Sequence, residues 1–361
     1  MSNEKTIHFG GLNALRFFSA FAIIVYHCSL NIQDGLPSAL KMLFHNLTLG
    51  VDMFFLISGF LIVYLLLSEK EESHKISLAK FYIRRILRIF PLYFLIIGIA
   101  WLQYRESIPP IVYHRSLYFA TNFWMISANS WTMGILNPLW SLCIEEHFYL
   151  VIPVLVLFIP LRRIHLLFWF VILVSIGFRL YATLTIQYNW FTIYLHTLSR
   201  CDVLAIGGLL AYYRRFYDFS ARFSSLVLGC LFTYLILLMS IVDSSDYTTI
   251  TFSVLKKYLF IAPMFLFFIG FILNKNEENK IISWLKSKRL IDYFGKISFG
   301  LYMFHTPVLE YLIPYHFIND FFIVKLISVS ILTVLVSSIS YELFEKKILR
   351  LKTKFEIIKS A

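Results

Sequence analysis

Long apolar segments separated by short polar segments run along almost the whole chain. A helix needs about 20 mostly apolar residues to cross a bilayer, and ten segments approach that length, although the third and sixth are short. The segments lie at about residues 12–31, 50–68, 89–104, 140–160, 165–186, 202–213, 225–243, 255–273, 297–315 and 321–342. This pattern predicts an all-α integral membrane protein with about ten transmembrane helices.

The basic residues between these segments indicate on which side of the membrane each connection lies. With a cytoplasmic amino terminus, 24 of the 33 Lys and Arg fall on the cytoplasmic side, and seven, including Arg200, on the opposite side. Cytoplasmic loops of membrane proteins carry such an excess of basic residues. We therefore predict that both termini are cytoplasmic. We expect residues 1–345 to form one polytopic membrane domain and residues 346–361 a basic cytoplasmic tail.

The composition agrees with a membrane protein and excludes a soluble one. Hydrophobic residues make up 59% of the 361 residues and charged residues 15%, whereas soluble domains carry about 25% charged residues. The cytoplasmic loops explain the net charge of +12, so we expect the lipid bilayer as a partner and no nucleic acid. The four cysteines are scattered and indicate neither a disulfide framework nor a zinc site.

Charged and titratable residues inside the apolar segments are candidates for a functional site, because a buried charge costs about 2.5–3.5 kcal/mol on insertion scales. Arg16 and His27 are eleven positions apart in the first segment, which places them on one helix face, about 16 Å apart along the axis. We expect Arg16 near the cytoplasmic surface and His27 beyond the midplane. The alternatives are an Arg16 that reaches the lipid interface and a His27 bonded to a core carbonyl.

Four further titratable residues are predicted at the mid-to-outer depth of His27. Asp52 opens the second segment, Glu145 and Glu146 lie near the start of the fourth, and His305 lies near the middle of the ninth. A histidine with carboxylates provides the groups of a general acid–base site. The competing hypothesis is a metal site, but no pair has a recognised ligand spacing, and we expect no metal.

A basic cluster precedes Pro91 on the predicted cytoplasmic side. Arg85 and Arg88 are three positions apart, and Arg84 and Arg88 four apart, so either pair shares a helix face. Such a pair can hold a phosphate group through forked hydrogen bonds. The alternative is an ordinary group of basic residues that anchors a helix at the cytoplasmic interface.

Six segments that carry these residues resemble, in order, the motifs of the membrane acyltransferase-3 family, whose members acylate sugars of bacterial surface glycans and lipids. The segments are residues 16–27, 50–60, 85–88, 140–149, 298–307 and 345–347. Phe299 stands where the family usually has Tyr, and Lys347 stands where it usually has Pro, at the end of the last helix. The resemblance covers about residues 8–350, nearly the whole chain.

The resemblance implies a multi-pass O-acyltransferase of the bacterial cytoplasmic membrane. Its donor would be cytoplasmic acyl-CoA, usually acetyl-CoA, as a substrate and not as a permanently bound cofactor. Its acceptor would be a hydroxyl of a surface polysaccharide or glycolipid sugar on the outer side. The resemblance implies that Arg85 and Arg88, with Arg16, bind the phosphates of acyl-CoA and that His27 is the general base. From their positions we add Arg84 and His305 as candidate substrate-binding residues. Asp52 or one of Glu145 and Glu146 is the candidate catalytic carboxylate that orients the His27 ring or stabilises its charged form.

Two other functions are compatible with such a chain. A transporter or lipid flippase would need a large cavity, but it has no use for a cytoplasmic arginine pair aligned with a deep histidine. The second alternative is an acyltransferase that uses another donor, such as succinyl-CoA. The sequence leaves open the acyl group, the acceptor glycan, the oligomeric state, and which of Glu145 and Glu146 faces the site.

Overall fold

The computed structural model describes residues 11–30, 37–132, 134–185, 189–216, 225–242, 257–273, 288–312, 314–315 and 321–355. Within these ranges the chain is helical and contains no β-strand, which confirms the all-α prediction. The α-helices are α1 (Leu12–Ser29), α2 (Ser38–Asn46), α3 (Gly50–Ser73), α4 (Leu78–Tyr104), α5 (Pro110–Leu117), α6 (Thr121–Ala128), α7 (Leu139–Phe158), α8 (Ile164–Thr185), α9 (Trp190–Leu195), α10 (Thr197–Phe216), α11 (Ser225–Ile241), α12 (Lys257–Leu273), α13 (Arg289–Lys296), α14 (Ser298–Leu312), α15 (Phe322–Ser340) and α16 (Lys346–Lys352).

Seven helical segments of the described chain are long and apolar enough to cross a membrane. They are Leu12–Ser29, Ser38–Ser73, Leu78–Tyr104, Gly134–Phe158, Leu161–Thr185, Trp190–Phe216 and Phe322–Phe355. Each of the ten predicted spans has a helix at its position, but α11, α12 and α14 have only 17, 17 and 15 residues. The protein is a multi-pass membrane protein, while the count of ten and the cytoplasmic position of both termini stay predictions.

Two helix boundaries differ from the sequence prediction in ways that affect the site. The third span, predicted at about 89–104, belongs to α4, which begins eleven residues earlier and contains Pro91. The arginines before Pro91 therefore project from a helix wall and not from a connecting loop. The sixth span, predicted at about 202–213, extends over the whole of α10 and includes Arg200, so this arginine is not an outer-loop cation.

Helix α10 packs most extensively against α3 and also against α8. Two glycines allow the close approach to α3. A Cβ on Gly59 would collide with the carbonyl of Leu204, and a Cβ on Gly207 would collide with the carbonyl of Leu56. Small residues at helix interfaces let backbones approach closely in membranes.

Two buried ion pairs join α10 to the same neighbours. Arg200 of α10 lies 3.0 Å from Asp52 of α3, and Asp202 of α10 lies 2.9 Å from Arg179 of α8. Each charge buried in an apolar bundle needs an opposite charge beside it, because removing one partner leaves an uncompensated charge. These contacts fix the position of α3, which forms part of the candidate site.

Polar contacts also connect the helix ends on the predicted cytoplasmic side. The ammonium group of Lys70 at the end of α3 donates to three carbonyls around the carboxyl end of α7, at 2.6, 3.0 and 2.6 Å. Arg84 of α4 forms an ion pair with Glu69 at 3.4 Å and donates to the carbonyl of Phe355 at 2.7 Å. The segment predicted as a basic tail thus begins as α16 and packs against α4.

Candidate active site

A cavity opens between α1, α3, α4, α7 and α14. Phe299, near the start of α14, lines the cavity together with Arg88 of α4, whose guanidinium group lies over the Phe299 ring. Tyr302 lines the cavity one turn further along α14. Ser141 lines it from the first turn of α7, next to Tyr302. The cavity therefore has a strongly basic region and a region of hydroxyl groups.

Arg16, Arg85 and Arg88 present three guanidinium groups to this cavity. Arg85 lies over the ring of Tyr149, and Arg88 over the ring of Phe299, each with 5.9 Å between the guanidinium carbon and the ring centroid. Within the described ranges, none of the three forms an ion pair with a carboxylate, unlike the ion-paired arginines elsewhere in the bundle. Three guanidinium groups around one space form a candidate site for an anionic ligand.

Arg84 does not line the cavity. Its guanidinium group is already held by Glu69 and by the backbone at Phe355. Arg84 and Arg85 diverge because neighbouring positions on a helix point in directions about 100° apart, and a role of Arg84 in donor binding stays a prediction. Of the two arginine pairs considered in the sequence, the structure favours Arg85 with Arg88.

The adjacent glutamates face different surroundings. Glu145 lines the cavity, accepts a hydrogen bond from the Tyr149 hydroxyl at 2.8 Å and accepts another from Ser58 at 3.2 Å. Glu146 does not line the cavity, and its Oε1 atom is buried without a hydrogen bond in the described part of the chain. Glu145 is therefore the glutamate that faces the site.

His27 and His305 lie in contact, with 3.3 Å between Nδ1 of His27 and Nε2 of His305. Nδ1 of His305 also lies 2.6 Å from the carbonyl oxygen of Tyr302, and Nδ1 of His27 lies 2.9 Å from that of Ile23. A carbonyl oxygen only accepts hydrogen bonds, so in the neutral rings both Nδ1 atoms carry the proton. Nε2 of His305 then accepts from His27, and Nε2 of His27 keeps a free lone pair.

Neither imidazole lines the cavity itself. Tyr302 connects the two regions, since its side chain lines the cavity and its carbonyl holds His305. Arg16 and His27 do lie on one continuous helix, α1, as the sequence predicts. The helix thus reaches from the basic region of the cavity to the histidine pair, over about 16 Å.

The expected carboxylate partner of His27 is absent among the described residues. Asp52 is paired with Arg200, and Glu145 is bonded to Tyr149 and Ser58. The carbonyl of Ile23 and the ring of His305 hold the His27 ring instead, and a catalytic role of these carboxylates stays a prediction. Within the described ranges, no three side chains among His, Cys, Asp and Glu are grouped to hold a metal ion.

Sequence reasoning missed Arg200 and the hydroxyl groups of the cavity. Arg200 lies over the rings of Tyr194, Phe55 and Trp140, at 5.0, 5.7 and 5.7 Å from their centroids. Because Arg200 precedes a short apolar segment, the sequence predicted that it lies in an outer loop. Tyr302 offered a better signal, because it lies three positions before His305 and so shares its helix face.

The fold and the cavity define a class of protein: a multi-pass membrane protein with an internal cavity that is lined by three arginines and lies next to a histidine pair. The comparison with protein families makes this more specific. The chain belongs to the membrane acyltransferase-3 family, whose acyltransferase-domain model matches residues 9–342. The match covers nearly the whole chain and confirms the family resemblance seen in the sequence.

Several curated proteins of Staphylococcus aureus are similar to this chain. O-acetyltransferase OatA of strain NCTC 8325 / PS 47 is 28% identical over 361 residues, which cover 94% of this chain and 57% of that protein. The putative O-acetyltransferase SACOL0978 of strain COL is 28% identical over 366 residues, with 95% and 57% coverage. The chain thus spans little more than half the length of these relatives. No solved structure matches it.

Proposed function

We propose that this chain is a membrane O-acetyltransferase of the bacterial cytoplasmic membrane. It takes the acetyl group from acetyl-CoA on the cytoplasmic side and transfers it to a hydroxyl of a surface polysaccharide or glycolipid sugar on the outer side. Membership of the acyltransferase-3 family and similarity to proteins named O-acetyltransferase support the reaction class. The observation that carries the proposal is the cavity with three guanidinium groups, linked through α14 to the histidine pair.

Acyl-CoA fits the two regions of the cavity in chemical terms. Its nucleotide end carries several phosphate groups, which Arg16, Arg85 and Arg88 can bind by charge-assisted hydrogen bonds. Its pantetheine arm is long and largely uncharged, which suits the region between the arginines and Tyr302. The thioester would then lie near the histidine pair, where an apolar bundle limits hydrolysis by water.

His27 is the general base of the proposed reaction. Its free Nε2 takes the proton of the acceptor hydroxyl as the oxygen attacks the thioester carbon. The positive charge that develops on the ring strengthens the Nδ1 hydrogen bonds to Ile23 and His305, because a charged donor forms a stronger bond. When the carbon–sulfur bond breaks, the thiolate receives the proton, and the products are the acetyl ester and free coenzyme A.

Two alternatives predict different behaviour of the purified protein. A transporter or flippase would not release coenzyme A from acetyl-CoA. A succinyltransferase would prefer succinyl-CoA, whose extra carboxylate needs a cation near the thioester.

Thiol release tests the proposal directly. Purified protein in detergent or vesicles is mixed with acetyl-CoA or succinyl-CoA, and free coenzyme A is measured with a thiol reagent in the presence of a bacterial surface-glycan extract. We expect release from acetyl-CoA that increases with the glycan extract. A protein that binds no acyl-CoA and releases no thiol contradicts the proposed function.

A further inference from the structure

The hydroxyl groups of Tyr302 and Ser141 form a compact unit at the inner wall of the cavity. Their oxygen atoms lie 2.7 Å apart, and both side chains line the cavity. Each oxygen also lies near the carbonyl oxygen of Pro138, at 3.1 Å from Ser141 and 3.2 Å from Tyr302. The carbonyl can only accept, so the two hydroxyl protons form a chain in which one hydroxyl donates to the other and the second donates to Pro138.

The proton at the end of this chain is loosely held. The hydroxyl–hydroxyl distance of 2.7 Å is optimal for an O–H···O bond, whereas the distances of 3.1 and 3.2 Å to Pro138 exceed the usual range of about 2.5–3.0 Å. Pro138 is also the residue before α7, and the carbonyl at that position accepts a bond from the helix backbone. Losing the hydroxyl contact would therefore leave no unsatisfied carbonyl.

The pair lies close to the groups that would perform the chemistry. Tyr302 lies one turn before His305 on α14, and its own carbonyl holds the His305 ring. The rings of Tyr302 and His305 are 5.8 Å apart between centroids. A thioester placed beside the histidine pair would thus have this hydroxyl pair on the cavity side.

Resting on the proposed function, we propose that Tyr302 and Ser141 form the oxyanion site of the transfer reaction. When the acceptor oxygen bonds to the thioester carbon, the carbonyl double bond becomes a single bond and its oxygen becomes negative. The terminal hydroxyl proton turns from Pro138 to that oxygen, while the other hydroxyl supports it. When the carbon–sulfur bond breaks and the carbonyl re-forms, the proton returns to Pro138. No covalent bond to the protein forms.

Removing the Tyr302 hydroxyl tests this assignment. Tyr302→Phe keeps the ring, so acetyl-CoA binding should be unchanged while the turnover number falls about 10²–10³-fold, the usual loss for one oxyanion donor. Ser141→Ala should lower turnover in the same direction, and Ser141→Thr, which keeps a hydroxyl, should retain most of it. The matched control is Tyr93→Phe, because Tyr93 is fully buried and donates its hydroxyl to the Ser116 carbonyl outside the cavity.

An analogue of the tetrahedral intermediate distinguishes this role from packing. The probe is a coenzyme A derivative with a trifluoromethyl ketone in place of the thioester, which hydrates to a tetrahedral diol. Tyr302→Phe should weaken binding of this analogue and leave binding of acetyl-CoA unchanged, since an oxyanion donor acts mainly after the carbon becomes tetrahedral.

Two results would overturn the assignment. In one, Tyr302→Phe transfers acetyl at the wild-type rate; in the other, it loses affinity for acetyl-CoA and for the fluoroketone equally. Both results are compared with a wild-type protein that binds acetyl-CoA and releases thiol, so neither contradicts the proposed function. A wild-type protein without either activity rejects the proposed function and the oxyanion site with it.

Discussion

Two groups of arginines lie within the helical bundle of the described chain. Arg84, Arg179 and Arg200 are each held by a carboxylate of a neighbouring helix, so they stabilise the bundle. The second group, Arg16, Arg85 and Arg88, faces the cavity without an ion pair to any described residue. Of the described residues, Glu145 is the one carboxylate that lines the same cavity, so three guanidinium groups beside it leave an excess of positive charge, which an anionic ligand would neutralise. The second group is therefore expected to bind the donor phosphates.

Replacing Arg85 and Arg88 together by Ala should weaken acetyl-CoA binding, because each hydrogen bond to a charged group contributes about 1.5–3 kcal/mol. Binding is measured by isothermal titration of the purified protein. The matched control is Arg162→Ala with Arg163→Ala, an exposed pair on the predicted cytoplasmic side, which should bind as the wild type does. Equal affinity of the cavity variant and the wild type would remove these arginines from the donor site.

The 3′-phosphate of coenzyme A gives a finer version of the same test. Wild-type protein should lose affinity when this phosphate is removed from the ligand, and the Arg85 and Arg88 double variant should lose less. An identical loss in both proteins would mean that the two arginines hold the pyrophosphate or no phosphate.

His27→Ala and His27→Gln should release thiol from acetyl-CoA about 10²–10⁴-fold more slowly than wild type, the usual effect of losing a general base. Acetyl-CoA binding should be retained, because the histidine pair does not line the basic part of the cavity. Kinetics of coenzyme A release, together with titration of acetyl-CoA, measure the two effects separately. The control is His114→Ala, an exposed histidine of α5. A His27 variant that loses binding and turnover in parallel would indicate a structural histidine.

The sequence located residues along the helices better than it identified their partners in the fold. The eleven-residue separation of Arg16 and His27 was enough to place both on one face of α1. The sequence could not show whether Arg84 or Arg85 faces the cavity, because the spacing of either residue from Arg88 places the two on one helix face. The partner of Asp52 was also hidden, since Arg200 is 148 positions away and becomes its neighbour only through the packing of α10 on α3.

At the scale of helices, α10 positions one wall of the site without lining the cavity. Its close approach to α3 depends on Gly59 and Gly207, and its ion pair with Asp52 fixes the outer part of α3. The same stretch of α3 contributes Phe54, Phe55 and Ser58 to the cavity. One part of the surface of segment 50–60 therefore packs against α10, and another part lines the cavity.

Gly207→Ala should destabilise the protein by about 1–3 kcal/mol, because the added methyl group collides with the carbonyl of Leu56 and the backbone of Phe60. The matched control is Gly177→Ala in α8, where a Cβ meets nothing within 4 Å and helix propensity favours Ala by about 1 kcal/mol. Thermal unfolding of the detergent-solubilised proteins measures both. A Gly207→Ala protein as stable as the control would show that α3 and α10 are packed less closely than described.

The lengths of the helices explain which spans could be predicted. Continuous apolar segments such as those of α7 and α8 were located to within a few residues. The start of α10 was missed, because Arg200 interrupts the apolar pattern and its charge is balanced only by Asp52 on α3. A sequence window measures apolar character but not such pairing between helices.

At the scale of the whole molecule, the proposal requires the arginines and the acceptor to lie on opposite sides of the membrane. The turn between α3 and α4 and the connection between α4 and α5 lie at opposite ends of α4. Lys75 in the first and Ser107 in the second are both exposed. These two positions report the orientation of the helix that carries Arg85 and Arg88.

A single Cys at position 75 should react with a membrane-impermeant maleimide only from the cytoplasm, and a single Cys at position 107 only from outside. The background variant lacks the native cysteines, of which Cys230 is exposed. Labelling of intact cells and of inverted vesicles is compared by gel shift. Reaction of position 107 from the cytoplasm would reverse the orientation and move the arginines away from the cytoplasmic donor.

In the proposed reaction, acetyl groups reach the outer surface through the His27 site. The most direct test is mass spectrometry of surface glycans, with base-labile acetate quantified, from cells that lack the protein, contain the wild type, or contain His27→Ala at a matched level in the membrane. We predict additional ester-linked acetate with wild type only, and the same amount in His27→Ala cells as in cells without the protein. Equal acetylation in wild-type and His27→Ala cells would contradict the account.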